Sequence, residues 1–351
     1  MLALELKFKN ITVVQLSVIL CFWTSTTVAQ CWTSDLSEDE QLAVTRETFE
    51  TQLFAESIEA AKCYLDEFPL GNSREEMFYL KAESLRNSGK LDDAIKGYDE
   101  LMISFPASSE YLEKIMFHKG VLQARIEKYS DSMNSLKIFL LKFPYSSYSD
   151  EAYYWLGYAT SYHAELLRLK NKEMALPEFE ASTMHFVKSN PKSLSQTQQL
   201  ERLHLLGRAW WFLGDITRAA ETWEKYFYYS NSISQEDALS LKLQLATRFQ
   251  KDKKYAQAEK WYGRITKDHS DSELAISSFF WTAEMAYAKS VKQEKTKVMD
   301  FNYVKGLVKQ YQQYLNKNDN EYHALTYYRI GVLQRSLQPN KSISAFNEYI
   351  L

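Results

Sequence analysis

The word Phe-Pro recurs along this chain as Phe68-Pro69, Phe105-Pro106 and Phe143-Pro144, with successive prolines thirty-seven and thirty-eight residues apart. A fixed period of this length constrains the fold more than any other feature. One unit of that size cannot enclose its own apolar face, so stacked neighbours must enclose it together. Each proline lacks a backbone N–H and biases the residue before it away from helix, so each Phe-Pro marks where a helix stops. Only 10 Gly and 6 Pro occur in 351 residues, which fits long helices and disfavours a turn-rich β architecture. The 24 Tyr, 19 Phe and 8 Trp must be buried at regular places or displayed for a purpose.

Between the prolines runs a finer pattern: a large residue, a small one four later, an aromatic, a Gly turn, then a small residue and an aromatic. Leu203, Leu206, Gly207, Trp210, Gly214, Ala219 and Trp223 match it throughout, and Phe78, Ala82, Leu85, Gly89, Ala94 and Tyr98 nearly as well. Tyr153, Trp155, Leu156 and Gly157 open another unit, and Leu245, Ala246, Phe249, Tyr255, Ala258 and Tyr262 give a further one. The small residue expected where two helices cross is Ala82, Gly120, Gly157, Gly207, Ala246, Ala283 and Gly331 in successive units. Lys81, Lys119 and Lys242 stand where the pattern prefers apolar residues; a lysine stem can lie along apolar surface with its charge in water.

These words resemble the tetratricopeptide-repeat family over roughly residues 40–351. The resemblance implies an all-α, right-handed superhelical solenoid of antiparallel helix pairs. The chain then divides into a leader at 1–29, read from its N-terminal residues, an N-terminal segment with a degenerate first pair at 30–72, and an array of about seven units at 73–351, the last incomplete. The stretch Phe143 to Gly157 is similar to bacterial periplasmic repeat proteins, including the Tol–Pal-associated division coordinator and the repeat lipoprotein of the β-barrel assembly machinery. That resemblance implies an envelope scaffold whose partners are proteins or peptides.

The start of the chain reads as a signal peptide: Lys7 and Lys9, an apolar run from Ile11 to Trp23, then small residues with cleavage expected after Ala29. The alternative is an uncleaved anchor facing the periplasm, although the run falls short of the roughly 20 residues of a comfortable span. No later stretch is apolar for long enough to cross a bilayer, so no span is expected in the mature chain. Cys31 and Cys63 either pair in an oxidising compartment or stay free. Neither Cys21 nor Cys31 follows the small residue that lipidation wants.

Net charge is -3 with a pI near 6.1, which argues against a nucleic-acid partner, since phosphate recognition needs a basic face. The chain has no phosphate-binding glycine loop, dinucleotide fingerprint or nucleophile elbow, and its six His have no zinc spacing. No enzyme activity, cofactor, metal or small-molecule substrate is therefore expected. Two places break the rhythm. About ten extra residues around His163–Leu176 lengthen a helix pair or its loop, and a lysine-rich excess lies around Lys289–Asn302. Each is either a binding feature or a solvated extension. At the other end, Phe346, Tyr349, Ile350 and Leu351 belong to a fragment's edge or dock on something.

In such solenoids the first helix of each pair lines the concave side. A stripe offset by one from the crossing residue gives Tyr79, Glu83 and Arg86; Phe117 and Arg125; Tyr154, Tyr158 and Ser161; His204, Arg208 and Trp211; Phe280, Glu284 and Tyr287; Tyr328 and Arg335. Tyr, Trp and Arg carry interface energy more often than other side chains. Tyr154, Tyr158, Arg208, Trp211, Phe280 and Tyr287 are accordingly the candidate partner-binding residues. The opposing reading buries these rings between neighbouring pairs, and helical spacing alone does not separate the two. The function expected is an exported protein-binding scaffold; the alternatives are a permanent subunit of an envelope machine or the repeat region of a larger protein.

Overall fold

The computed structural model describes residues 31–106, 110–230, 233–293, 301–317, 321–335 and 338–350, so the expected leader lies outside the described residues. Among the described residues are sixteen α-helices and no strand. They form two compact units, divided between Arg202 and Leu203. The first holds α1 (Glu38–Glu50), α2 (Phe54–Glu67), α3 (Arg74–Asn87), α4 (Leu91–Ser104), α5 (Leu112–Arg125), α6 (Tyr129–Lys142), α7 (Ser149–Lys170) and α8 (Lys172–Lys188). The boundary falls inside α9 (Gln196–Phe212). The second continues with α10 (Ile216–Tyr229), α11 (Gln235–Lys251), α12 (Tyr255–Asp268), α13 (Ile276–Gln293), α14 (Phe301–Leu315), α15 (His323–Gln334) and α16 (Pro339–Ile350).

Within each unit the helices pair in sequence order, and the small residues sit where each pair crosses. A Cβ added at Gly120 would fall 2.7 Å from Leu136, one at Gly157 would fall 2.7 Å from Phe186, and one at Gly331 2.7 Å from Phe346. The same atom at Gly207 would collide with the Trp223 indole. Carbonyls exposed at these crossings are used: Ser132 Oγ donates to Gly120 O at 2.8 Å, and Ser342 Oγ to Gly331 O at 2.8 Å.

Recurrent turns reverse the chain inside the pairs. Gly89 (φ 80°) and Gly214 (φ 84°) occupy the left-handed region, and Gln52, Glu127 and Lys253 do so at the equivalent place in their pairs. Each is followed by an N–H that reaches back to the helix, as Lys90 N does to Leu85 O (2.9 Å) and Lys254 N to Phe249 O (2.9 Å). The second helices of the early pairs end as the Phe-Pro words demand. Phe68, Phe105 and Phe143 are their C-caps, each donating its N–H four residues back.

The expected insertion lengthens helices rather than a loop. α7 has 22 residues and α8 has 17, against 14 for each of α3 to α6. The added turns project Leu166, Leu169 and Met174 into solvent. Part of the second excess, residues 294–300, lies outside the described residues, but α13 runs to Gln293 and has 18 residues. Lys81, Lys119 and Lys242 do keep their stems at the apolar places, and each ammonium reaches a carboxylate on a second helix: Glu100 and Asp268 of their own pairs for Lys81 and Lys242, and Asp99 of the preceding pair for Lys119.

Cys31 and Cys63 are disulfide-bonded with Cα atoms 5.4 Å apart, fastening the segment before α1 to α2. Beside the bridge, Gln41 Nε2 donates to Thr33 O at 2.9 Å. A bridge closing a loop of this length restricts the unfolded chain by about 3–4 kcal/mol. The Cys31→Ser, Cys63→Ser chain is therefore expected to unfold at lower urea, and reduction should reproduce the shift in the native chain. Unchanged midpoints would show that the first pair holds without the bridge.

Candidate functional site

The first-helix stripe is partly enclosed, which corrects the sequence-based view of it. Tyr154 and Phe280 are wholly buried. Their position is covered because the first helices of adjacent pairs touch, as α1 touches α3 and α5 touches α7. A tyrosine at the start of the next first helix then lies flat over the ring. Tyr111 stacks on Tyr79 (4.3 Å), Tyr148 on Phe117 (4.7 Å), and Tyr322 on Phe280 (4.5 Å, interplanar 3°). Tyr154 is closed off differently, its hydroxyl donating to Glu201 Oε2 at 2.5 Å. Tyr154 and Phe280 are core residues and leave the partner-binding set.

Carboxylates of the stripe are buried too, in two equivalent clusters. On α3, Glu83 accepts from the Tyr98 hydroxyl at 2.5 Å and from Arg86 at 2.8 Å, and its Oε1 lies 3.0 Å from His118 Nδ1. On α13, Glu284 accepts from the Tyr311 hydroxyl at 2.5 Å and from Arg329 at 2.7 Å. In both, the carboxylate follows the small crossing residue, the tyrosine comes from its own second helix, and the basic group sits two residues before the next small residue. Burial pushes the Glu83 carboxyl up, but the hydrogen bond and charge of His118, with Arg86 and Tyr98, outweigh it and hold the group at about 2. Tyr98 and Tyr311 are pushed far upward by burial and the adjacent carboxylate, so both remain donors. Burial likewise lowers His185 and His204 to about 4, reinforced by Lys137 and Lys188 at the first and Arg208 at the second, so both are neutral at pH 7.

What stays accessible is narrower than the whole stripe. Tyr158, Arg208, Trp211 and Tyr287 are half-buried. In the first unit Tyr158 meets Tyr162 (4.6 Å), which stacks on Tyr129 of α6 (5.5 Å). Below them Tyr129, His163 and Leu166 line a small cleft with Glu127, Lys128 and Asp131. In the second unit Trp211 forms one wall of an open groove of about 440 Å³, completed by Ser240, Leu243, Gln244, Thr247, Arg248 and Lys251 of α11. The Arg248 guanidinium lies 6.0 Å from the Trp211 ring centre, and Trp211 leans on the buried Trp223 (6.0 Å). Further along, Arg329 covers Tyr287 at 4.7 Å. Tyr158 belongs to the first unit and Arg208, Trp211 and Tyr287 to the second.

Sequence reasoning missed Tyr129, Tyr162, Gln244, Thr247 and Arg248. Tyr162 stands one turn beyond Tyr158 and was open to that signal. Arg248 lies off the stripe, and no spacing rule places it over an indole two helices earlier. Among the described residues no group of three or more His, Cys, Asp or Glu is placed to hold a metal ion.

Helix pairs closed over Gly or Ala, with aromatics filling the crossing, are the architecture of tetratricopeptide repeats. No protein-family model and no curated protein matches the chain. Solved structures similar to it include MamA 41-end from Desulfovibrio magneticus RS-1, at 16% identity over 56% of this chain and 97% of that one, TM-score 0.42. A tetratricopeptide repeat protein from Parabacteroides merdae aligns at 13% identity over 85% of this chain and 98% of that one, TM-score 0.41. PilW, described as a widely conserved type IV pilus biogenesis factor, aligns at 15% identity over 68% of this chain and 96% of that one, TM-score 0.42.

Proposed function

We propose that this chain is an exported protein-binding scaffold of the bacterial cell envelope that grips partner segments on its first-helix faces. The observation that carries the reading is the groove beside Trp211. It combines a half-exposed indole, two cations and an open floor on α11 that sets Leu243 among Ser240, Gln244 and Thr247 and exposes mostly apolar surface. Such a surface binds by enclosing apolar and acidic side chains of a peptide or helix. The tyrosine cluster at Tyr158 offers a second anchor in the first unit. Export is supported by the leader-like start and by the Cys31–Cys63 bridge, which persists in oxidising compartments.

A second reading, a permanent subunit of an envelope assembly, is favoured by the outer face of α16, where Ile343, Tyr349 and Ile350 are exposed. Such a surface suits a lasting neighbour.

The two readings part on one substitution. Trp211→Ala should weaken capture of envelope partners by roughly 2 kcal/mol, about thirtyfold, with helicity and urea midpoint close to native. Capture unchanged by Trp211→Ala, but abolished by Ile343→Asp with Ile350→Asp, would replace the groove reading with the permanent interface. A Trp211→Ala chain that unfolds would place the indole in the core and remove it from the site.

A further inference from the structure

A different face of the first unit carries an arrangement that protein binding does not absorb. The second helices α6 and α8 and the loop after α6 display Ile138, Leu141, Tyr145, Met184 and Val187. Leu141 is 83% and Tyr145 99% exposed, so they stand out as separate projections rather than lining a groove. Lys137, Lys142, Lys188 and Lys192 are exposed beside them. Among the described residues none of these four ammonium groups has a carboxylate partner. Lys142 and Lys188 lie instead over the Phe143 and Tyr153 rings, at 5.8 and 5.3 Å. Lys137 of α6 and Lys188 of α8 both act on His185, which faces Tyr153 of α7 with ring centres 6.5 Å apart. The exposed carboxylate nearest this patch along α8 is Glu180, one turn before Met184.

We infer that this face docks on an anionic membrane surface, the aliphatic side chains and Tyr145 entering the headgroup region while the four lysines pair with lipid phosphates. Charge complementarity selects this occupant. A cluster of unpaired lysines meets the negative potential of an anionic leaflet, and each contributes roughly fivefold to binding near such a surface. Shape selects lipid over an acidic peptide. A peptide needs a concavity to enclose its side chains, whereas a bilayer receives projecting ones. No helix among the described residues is long and apolar enough to cross a membrane, so the contact is peripheral.

The test is co-sedimentation of the full chain with vesicles of phosphatidylcholine alone and with 30 mol% phosphatidylglycerol (roughly the anionic content that polybasic surfaces sense). The native chain is expected to prefer the anionic vesicles by at least about tenfold, and less so at high salt. A Lys137→Gln, Lys142→Gln, Lys188→Gln chain should lose most of that preference. Leu141→Ser with Val187→Ser should lower partition on the anionic vesicles by about tenfold. All chains share one N-terminus, so the differences belong to this face. Equal partition of the native chain on both vesicles overturns the inference, as does a preference that survives the lysine substitutions. A native chain that instead forms dimers, dispersed by the serine pair without any effect on vesicles, overturns it in favour of a second copy.

Discussion

Replacing Trp223 with alanine is expected to lower folding stability by about 3–5 kcal/mol, as full truncation of an enclosed aromatic does. The ring is 1% exposed, and its Nε1 donates to His204 O at 3.1 Å. It fills the space left by the missing side chain at Gly207, so the two positions should be coupled. Gly207→Ala alone is expected to destabilise by about 1–3 kcal/mol, because the new methyl enters the indole. Combined with Trp223→Phe, the same methyl should cost less, since a smaller ring yields room. Urea unfolding followed by helix signal gives the four corners of this cycle. Strict additivity would mean that the crossing is looser than the close approach implies.

Glu83→Ala should cost as much, about 3–5 kcal/mol, because it strips the partner from Tyr98, Arg86 and His118 at a site with almost no solvent. Glu284→Ala should do the same to Tyr311 and Arg329 in the second unit. The direction with pH follows from the carboxyl. Its folded pKa, about 2, lies below the ordinary 4.5, so the unfolded chain binds the proton more readily. Its contribution is complete above about pH 4.5 and is lost as pH falls toward 2, a change of about 3 kcal/mol. Glu83→Gln should be less stable than native near neutrality and should flatten the profile across that window. A profile still steep between pH 4.5 and 2 in Glu83→Gln would assign the acid loss to other carboxylates.

Much of this molecule was legible because helix pairing writes itself into residue size. Gly120, Gly157, Gly207 and Gly331 announce crossings, and Phe-Pro announces helix ends, so pairs and their order follow from the sequence. Turns were half legible. Gly89 and Gly214 signal the left-handed residue, but Gln52, Glu127 and Lys253 adopt it with side chains that carry no such signal. The stripe misled at Tyr154 and Phe280 because period alone reports which residues share a face, not what covers it. Tyr111, Tyr148 and Tyr322 supply the cover, and each arrives from the following pair. Trp211 escaped that fate because α11 presents Gln244 and Thr247 opposite it rather than a lid.

The most direct test of the partner-binding account is photocrosslinking in the cell envelope. A benzophenone side chain is placed at Gln244 or Thr247 on the floor of the groove, and for comparison at Glu221 or Asp93 on exposed turns of second helices. The account predicts a discrete protein adduct from Gln244 and Thr247, lost when Trp211→Ala is added, and none from Glu221 or Asp93. Adducts from the second-helix positions alone, or groove adducts indifferent to Trp211, would contradict it.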